Sequence, residues 1–154
     1  MSDELSEVDL TVWRTFLNAH ATAVRRIEED LTREGCLPLV DYDVLIALEH
    51  APDNRLRLRD LKRQVVLTRS GVTRLVDRLE SAGLLRRERC NEDRRAIYAV
   101  LTEEGQTAIR RTWPVYAHGI QQHFVQYLSL RHIPVLTAEL QCVATQEPAD
   151  TASD

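Results

Sequence analysis

Leu67–Glu88 reads LTRSGVTRLVDRLESAGLLRRE, and this stretch decides the fold. Val72, Leu75, Val76 and Leu79 recur at the three- and four-residue steps that align side chains along one face of an α-helix. Ser70, Thr73, Arg74 and Asp77 fall on the opposite face, with Arg69 at the N-terminal end and Arg78 at one edge. Thr68 is placed to cap a helix over Arg69–Ala82, and Gly83 supplies the left-handed residue that ends it. Leu84–Cys90 and Ala96–Leu101 then form two strand-like runs joined by Asn91–Arg95, which predicts a β-hairpin.

The elements outside this stretch complete a pattern. Val8, Leu10, Trp13, Phe16, Leu17, Val24, Ile27 and Leu31 predict a helix to about Arg33, stopped by Gly35 and Pro38. A second helix is expected over about Val40–His50, then a turn at Ala51–Asn54. A very short strand around Leu56 leads into a helix over about Arg59–Val66. Thr102 is placed to cap a long helix, with Glu103 and Glu104 in its first turn where carboxylates suit the helix dipole. That helix is expected to reach about Leu128 with a kink at Pro114, and a last helix to span Ile133–Thr145. Helix, tight turn, helix and hairpin in this order make a winged helix-turn-helix, mainly α with a small β-wing. Residues 36–102 would form that lobe, 8–35 and 103–146 a helical region, and 147–154 a disordered polar tail.

Charge sharpens the functional reading. The 154-residue chain carries −4 overall, yet Asn54–Arg95 holds 13 Lys and Arg against six Asp and Glu, +7, leaving −11 elsewhere. Phosphate binding follows the local field, so a basic third inside an acidic chain points to nucleic acid despite the net charge. The predicted helix has no acidic residue in its first two turns, and its arginines suit guanine edges while Ser and Thr serve bases or phosphates. In the hairpin, Arg86, Arg87 and Arg89 lie on a strand and Arg94 and Arg95 at the tip, where arginine can enter a narrow minor groove. Asp93 would orient a wing arginine rather than touch DNA.

Other chemistry is poorly supported. Cys36, Cys90 and Cys142 form no CxxC or metal pattern, which suits a reducing cytoplasm and free thiols. The acidic N-terminus MSDELSEVDL lacks the basic and apolar regions of a signal peptide, and no apolar run reaches 18 residues. His118 and His123, five apart, make a poor zinc pair, and no metal or cofactor is called for. Asp9, Asp41 and Asp43 show no triad or carboxylate-pair spacing, so the chain is not expected to be an enzyme.

Asp93-x-Arg95, five residues, then Leu101-Thr102 matches the DxRxxxxxLT wing signature of the MarR family. Leu67–Glu88 and Tyr42-Asp43-Val44-Leu45 also resemble that family, and the resemblance covers essentially the whole chain. Lys62 departs from it, standing where the family usually has a small residue. The resemblance implies an obligate homodimer with interleaved terminal helices, with Leu10, Trp13, Leu17, Phe124, Tyr127, Leu128, Ile133, Leu136 and Leu140 at the interface. It implies a cytoplasmic transcriptional regulator, a repressor by preference, reading a pseudo-palindromic operator in double-stranded DNA. Ser70, Thr73 and Arg74 would read bases, Arg69 and Arg78 hold phosphates, and Arg94 and Arg95 enter the minor groove. A small aromatic or anionic effector would bind near Trp13, His20, Tyr42 and Tyr116. The alternatives are a redox- or metal-responsive DNA-binding sensor, with Cys36 or Cys90 as the thiol, and a winged-helix module that binds protein.

Overall fold

A computed structural model describes residues 5–65, 71–91, 93 and 95–146. Helix α1 (Glu7–Arg33) opens on a capping box: the Ser6 hydroxyl accepts from the Asp9 amide at 3.1 Å, and the Asp9 carboxylate accepts from the Ser6 amide at 3.0 Å. Next come α2 (Leu39–Glu49), a 3₁₀ turn at Pro52–Asn54, β1 (Arg55–Arg57), α3 (Leu58–Gln64) and α4 (Val72–Ser81). The strands β2 (Leu85–Arg89) and β3 (Ile97–Leu101) precede α5 (Glu103–His123), and α6 (Ile133–Thr145) follows. The sheet is antiparallel in the order β1-β3-β2, so the expected hairpin gains a third strand at its open edge.

Two cores organise these elements. Val44, Leu45, Leu48, Leu61, Val72, Val76, Leu79, Leu85 and Ala99 bury themselves where α2, α3, α4 and the sheet meet. Ile27, Leu31 and Leu39 form a second cluster that α5 covers with Val115, Tyr116 and Ile120. Gly119 of α5 lets α1 approach closely, since a Cβ there would stand 3.2 Å from the Ile27 side chain.

Two expectations need correction. The described part of α4 begins at Val72 rather than Arg69, because Gly71 is left-handed at φ 77° and cannot sit inside a helix. The expected cap Thr68 lies outside the described residues. Helix α5 ends at His123 rather than Leu128: the backbone leaves helical geometry at Phe124 (φ −138°) and continues as 3₁₀ turns. Phe124 and Tyr127 face solvent, so continuing the helix would have gained no packing against this chain. Pro114 lies within α5 without ending it. It and Arg110, whose carbonyl loses its usual donor, are both exposed, so water can take the freed acceptor.

The ends of the molecule carry unpartnered apolar surface. Val8, Val12, Trp13, Phe16 and Leu17 are exposed on α1, and Phe124, Tyr127, Leu130, Val135, Leu140 and Val143 toward the C-terminus. No residue of α6 is buried. Among the interface positions expected from sequence, Trp13, Leu17, Phe124, Tyr127 and Leu140 are exposed, and Leu10, Leu128, Ile133 and Leu136 are half-buried. No described helix is long and apolar enough to cross a membrane.

Candidate nucleic-acid interface

Helix α4 buries Val72, Leu75, Val76 and Leu79 and turns Thr73, Arg74, Asp77 and Arg78 outward, as the three- and four-residue spacing dictates. Its first turn contains no acidic residue, so the amides exposed at its start keep their positive potential. At its C-terminus Gly83 (φ 75°) lets the Leu84 amide reach the Leu79 carbonyl at 3.0 Å and its own amide reach Glu80 at 2.9 Å. Thr102 then ties this turn to α5. Its hydroxyl donates to the Gly83 carbonyl at 2.7 Å and accepts from the Gly105 amide at 3.0 Å. The Leu101-Thr102 of the wing signature therefore joins the outward helix to the long one.

Arginine–carboxylate contacts fix the orientation of α4. The Arg78 guanidinium donates to Asp41, a buried carboxylate on α2. From β2, Arg87 donates to both Asp77 and Glu80, and its amide adds a 2.9 Å bond to Glu80. Burial works against the charge on Arg87, but the bonds to Asp77 and Glu80 outweigh it and raise its pKa. Arg86 pairs with its strand neighbour Glu88 at 2.6 Å. Arg86 and Arg87, expected as free cations of the wing, are thus engaged by carboxylates. Arg78, expected on phosphate, is held by Asp41.

Thr73 and Arg74 stand exposed on α4, and Arg95 is exposed in the turn after the hairpin tip. Among the described residues neither Arg74 nor Arg95 has a carboxylate partner. Arg69, Ser70 and Arg94 lie outside the described residues. The Asp93 carboxylate accepts the Arg95 backbone amide at 3.0 Å, which shapes the turn after the hairpin tip, and among the described residues it makes no ion pair with a guanidinium.

The four expected effector residues separate into two groups. Tyr42 and Tyr116 meet edge to face, with centroids 5.3 Å apart, and Trp113 stands 6.1 Å from Tyr116. Burial pushes both phenols above the usual tyrosine range. Tyr42 borders a cleft of about 500 Å³ with Ile46, Glu49, His50, Ile109, Arg110 and Trp113. Trp13 and His20 do not line it; with Phe16 they form an aromatic row on exposed α1. Sequence reading missed Trp113 and Arg110, although Trp113 lies one helical turn before Tyr116. His123 bonds Asp30 at 2.6 Å, and no cluster of three or more potential metal ligands occurs among the described residues.

A helix-turn-helix pinned to a basic β-hairpin and flanked by long helices defines a winged-helix protein, and this chain belongs to the MarR family of transcriptional regulators, not to a family of enzymes. The family model matches residues 37–96. The chain is similar to AbsC, a MarR family transcriptional regulator from Streptomyces coelicolor, at TM-score 0.83 and 30% identity over 94% of this chain and 97% of that one. It is similar to Sco3205 from the same organism, solved in complex with DNA, at TM-score 0.84 and 31% identity over 98% and 96% of the two chains. YkoM of Bacillus subtilis (strain 168), an HTH-type transcriptional regulator, is 27% identical over 80% of this chain and 78% of its own.

Proposed function

We propose that the chain is a cytoplasmic, homodimeric repressor that binds a pseudo-palindromic site in double-stranded DNA through α4 and the wing. The observation that carries this reading is the outward Thr73–Arg74 face of α4, unopposed by acidic residues in its first turn and rigidly joined to the hairpin by Arg87. Ser70, Thr73 and Arg74 read bases in the major groove, Arg69 holds phosphate, and Arg94 and Arg95 enter the minor groove beside it. Asp93 sets the tip's shape. Sco3205, solved with DNA, lends support at 31% identity.

The exposed apolar rows of α1 and α6 support dimerisation, because surface of this extent costs free energy until a second copy covers it. Residues 8–35 and 103–146 then form the dimer region and 36–102 the DNA-binding lobe, with 147–154 a polar tail. Repression requires only occupancy of a promoter. The cleft beside Tyr42, with Trp113 and the Arg110 cation on its wall, suits a small aromatic anion that releases DNA.

Selection of bound duplexes from a random pool tests the reading. Enrichment of an inverted repeat with half-sites about one helical turn apart is the expected result. Recovery of no preferred sequence, or of an asymmetric one, overturns it.

A further inference from the structure

Several of the basic residues around the wing are already neutralised. Arg78 is held by Asp41, Arg86 by Glu88, and Arg87 by Asp77 and Glu80. Such guanidinium groups add little to the field that a polyanion meets. Arg57 is held differently. It pairs with Tyr98 in the β1–β3 register, and its Nε donates to the Tyr98 hydroxyl at 3.1 Å while its Cζ lies 5.7 Å from the ring centroid. Arg55, two residues earlier on the same sheet face, has its Cζ 5.2 Å from that same centroid.

An uncharged phenol grips a cation without cancelling it. Among the described residues no carboxylate lies within ion-pair distance of Arg57, and Arg55 has only Asp53 at 3.9 Å. The bond to Tyr98 is the largest cause of a raised Arg57 pKa, to which the Asp93 carboxylate, beyond ion-pair distance, adds a smaller part. With Nε engaged and no further partner for the guanidinium among the described residues, the N–H groups of both terminal nitrogens keep the fork that matches a phosphate. The position is also suitable. Arg57, Tyr98 and Glu88 form the row next to Ile97 and Arg89, the last pair of the β2–β3 ladder before the wing tip. Arg57 also immediately precedes α3, the first helix of the helix-turn-helix.

We propose that Arg57, braced by Tyr98 and flanked by Arg55, is a clamp for the DNA phosphate backbone at the root of the wing. The inference rests on the DNA-binding reading above. The clamp is indifferent to base sequence, and Tyr98 is its positioning residue: ring and hydroxyl hold the guanidinium in place before DNA arrives, which lowers the ordering cost of the contact.

The test measures affinity for the selected duplex and for a scrambled duplex across potassium chloride concentrations, with thermal unfolding of each variant. Arg57→Ala should weaken both duplexes by the same factor and make the slope of log affinity against log salt shallower by about 0.9 per protomer bound. Arg57→Lys should keep the slope while losing affinity. Tyr98→Phe should keep the slope with a smaller loss, and Tyr98→Leu should make it shallower, at unchanged melting temperature. A wild-type slope in Arg57→Ala, in a preparation where Arg74→Ala weakens binding, overturns the clamp and leaves the DNA-binding reading standing. So do losses in Arg57→Ala and Arg57→Gln that follow falling melting temperature, because Arg57 would then only brace the sheet. A wild-type chain that binds neither duplex overturns the DNA-binding reading and the clamp with it.

Discussion

Breaking the Arg78–Asp41 pair from its two ends should produce unequal losses of stability. The Asp41 side chain is 10% exposed and the Arg78 side chain 59%. A hydrogen bond between charged groups contributes about 1.5–3 kcal/mol, and water around the arginine end pulls this one toward the lower figure. Arg78→Ala removes the bond and leaves a nearly dry carboxylate, so the loss should be about 2–3 kcal/mol. Asp41→Asn retains an acceptor oxygen and frees a guanidinium that water already reaches, so its loss should be about 1 kcal/mol. The double substitution should then cost less than the two single losses combined, by about 1 kcal/mol. For a chain of this size 1 kcal/mol corresponds to about 2–4 °C in melting temperature, so a thermal double-mutant cycle at one fixed protomer concentration resolves the difference. Strictly additive losses would refute the coupling. Arg78→Ala with a native melting temperature and a salt slope shallower by about 0.9 would return Arg78 to the phosphate backbone.

Three further perturbations follow from the geometry. Arg74→Ala should cost about 1–3 kcal/mol of binding and relax base preference at one position in each half-site, measured by repeating the duplex selection; equal weakening on every sequence would mean that Arg74 touches only phosphate. Gly105→Ala places a Cβ 2.1 Å from the Leu84 carbonyl oxygen, a backbone atom, so it should destabilise by several kcal/mol, on the order of 3 or more; near-native urea unfolding would show that the α4–α5 junction yields easily. The His123 bond, followed by Arg33, holds the Asp30 carboxyl below its ordinary value of 3.8. A depressed carboxylate pKa stabilises the fold above that ordinary value, and the contribution disappears as pH falls through the lower folded value. His123→Ala should therefore lose stability above pH 3.8 and flatten the acid limb of the stability curve, and an unchanged limb would contradict the assignment.

What the sequence revealed and what it hid divide along one physical line, the range of the interaction. The buried stripe Val72, Leu75, Val76 and Leu79, the hairpin and the Thr102 cap depend on neighbours a few residues away, and their spacing alone sufficed to place them. Gly71 was ambiguous because glycine is tolerated within a helix and favoured in a left-handed turn; its φ of 77° moved the described start of α4 to Val72. The fate of each arginine was illegible for a different reason. Asp41 is 37 residues from Arg78, and Tyr98 is 41 from Arg57, so no local pattern reports either contact. A count of +7 over Asn54–Arg95 treats all thirteen basic residues alike. The fold divides those among the described residues into arginines neutralised by carboxylates, which shape the lobe, and arginines left exposed or held by an uncharged ring, which can still attract a polyanion. By that division Arg74 and Arg95, expected from sequence, and Arg57, which was not, keep their charge available to a polyanion, whereas Arg78, Arg86 and Arg87 do not. Reversing the pairing would therefore be more informative than removing charge: Glu88→Gln should release Arg86 and strengthen non-specific DNA binding at low salt, whereas Asp41→Asn, which loosens α4 itself, should weaken specific binding although it too removes a negative charge. Equal effects of the two substitutions on both kinds of binding would mean that net charge, rather than its placement by the fold, governs this surface.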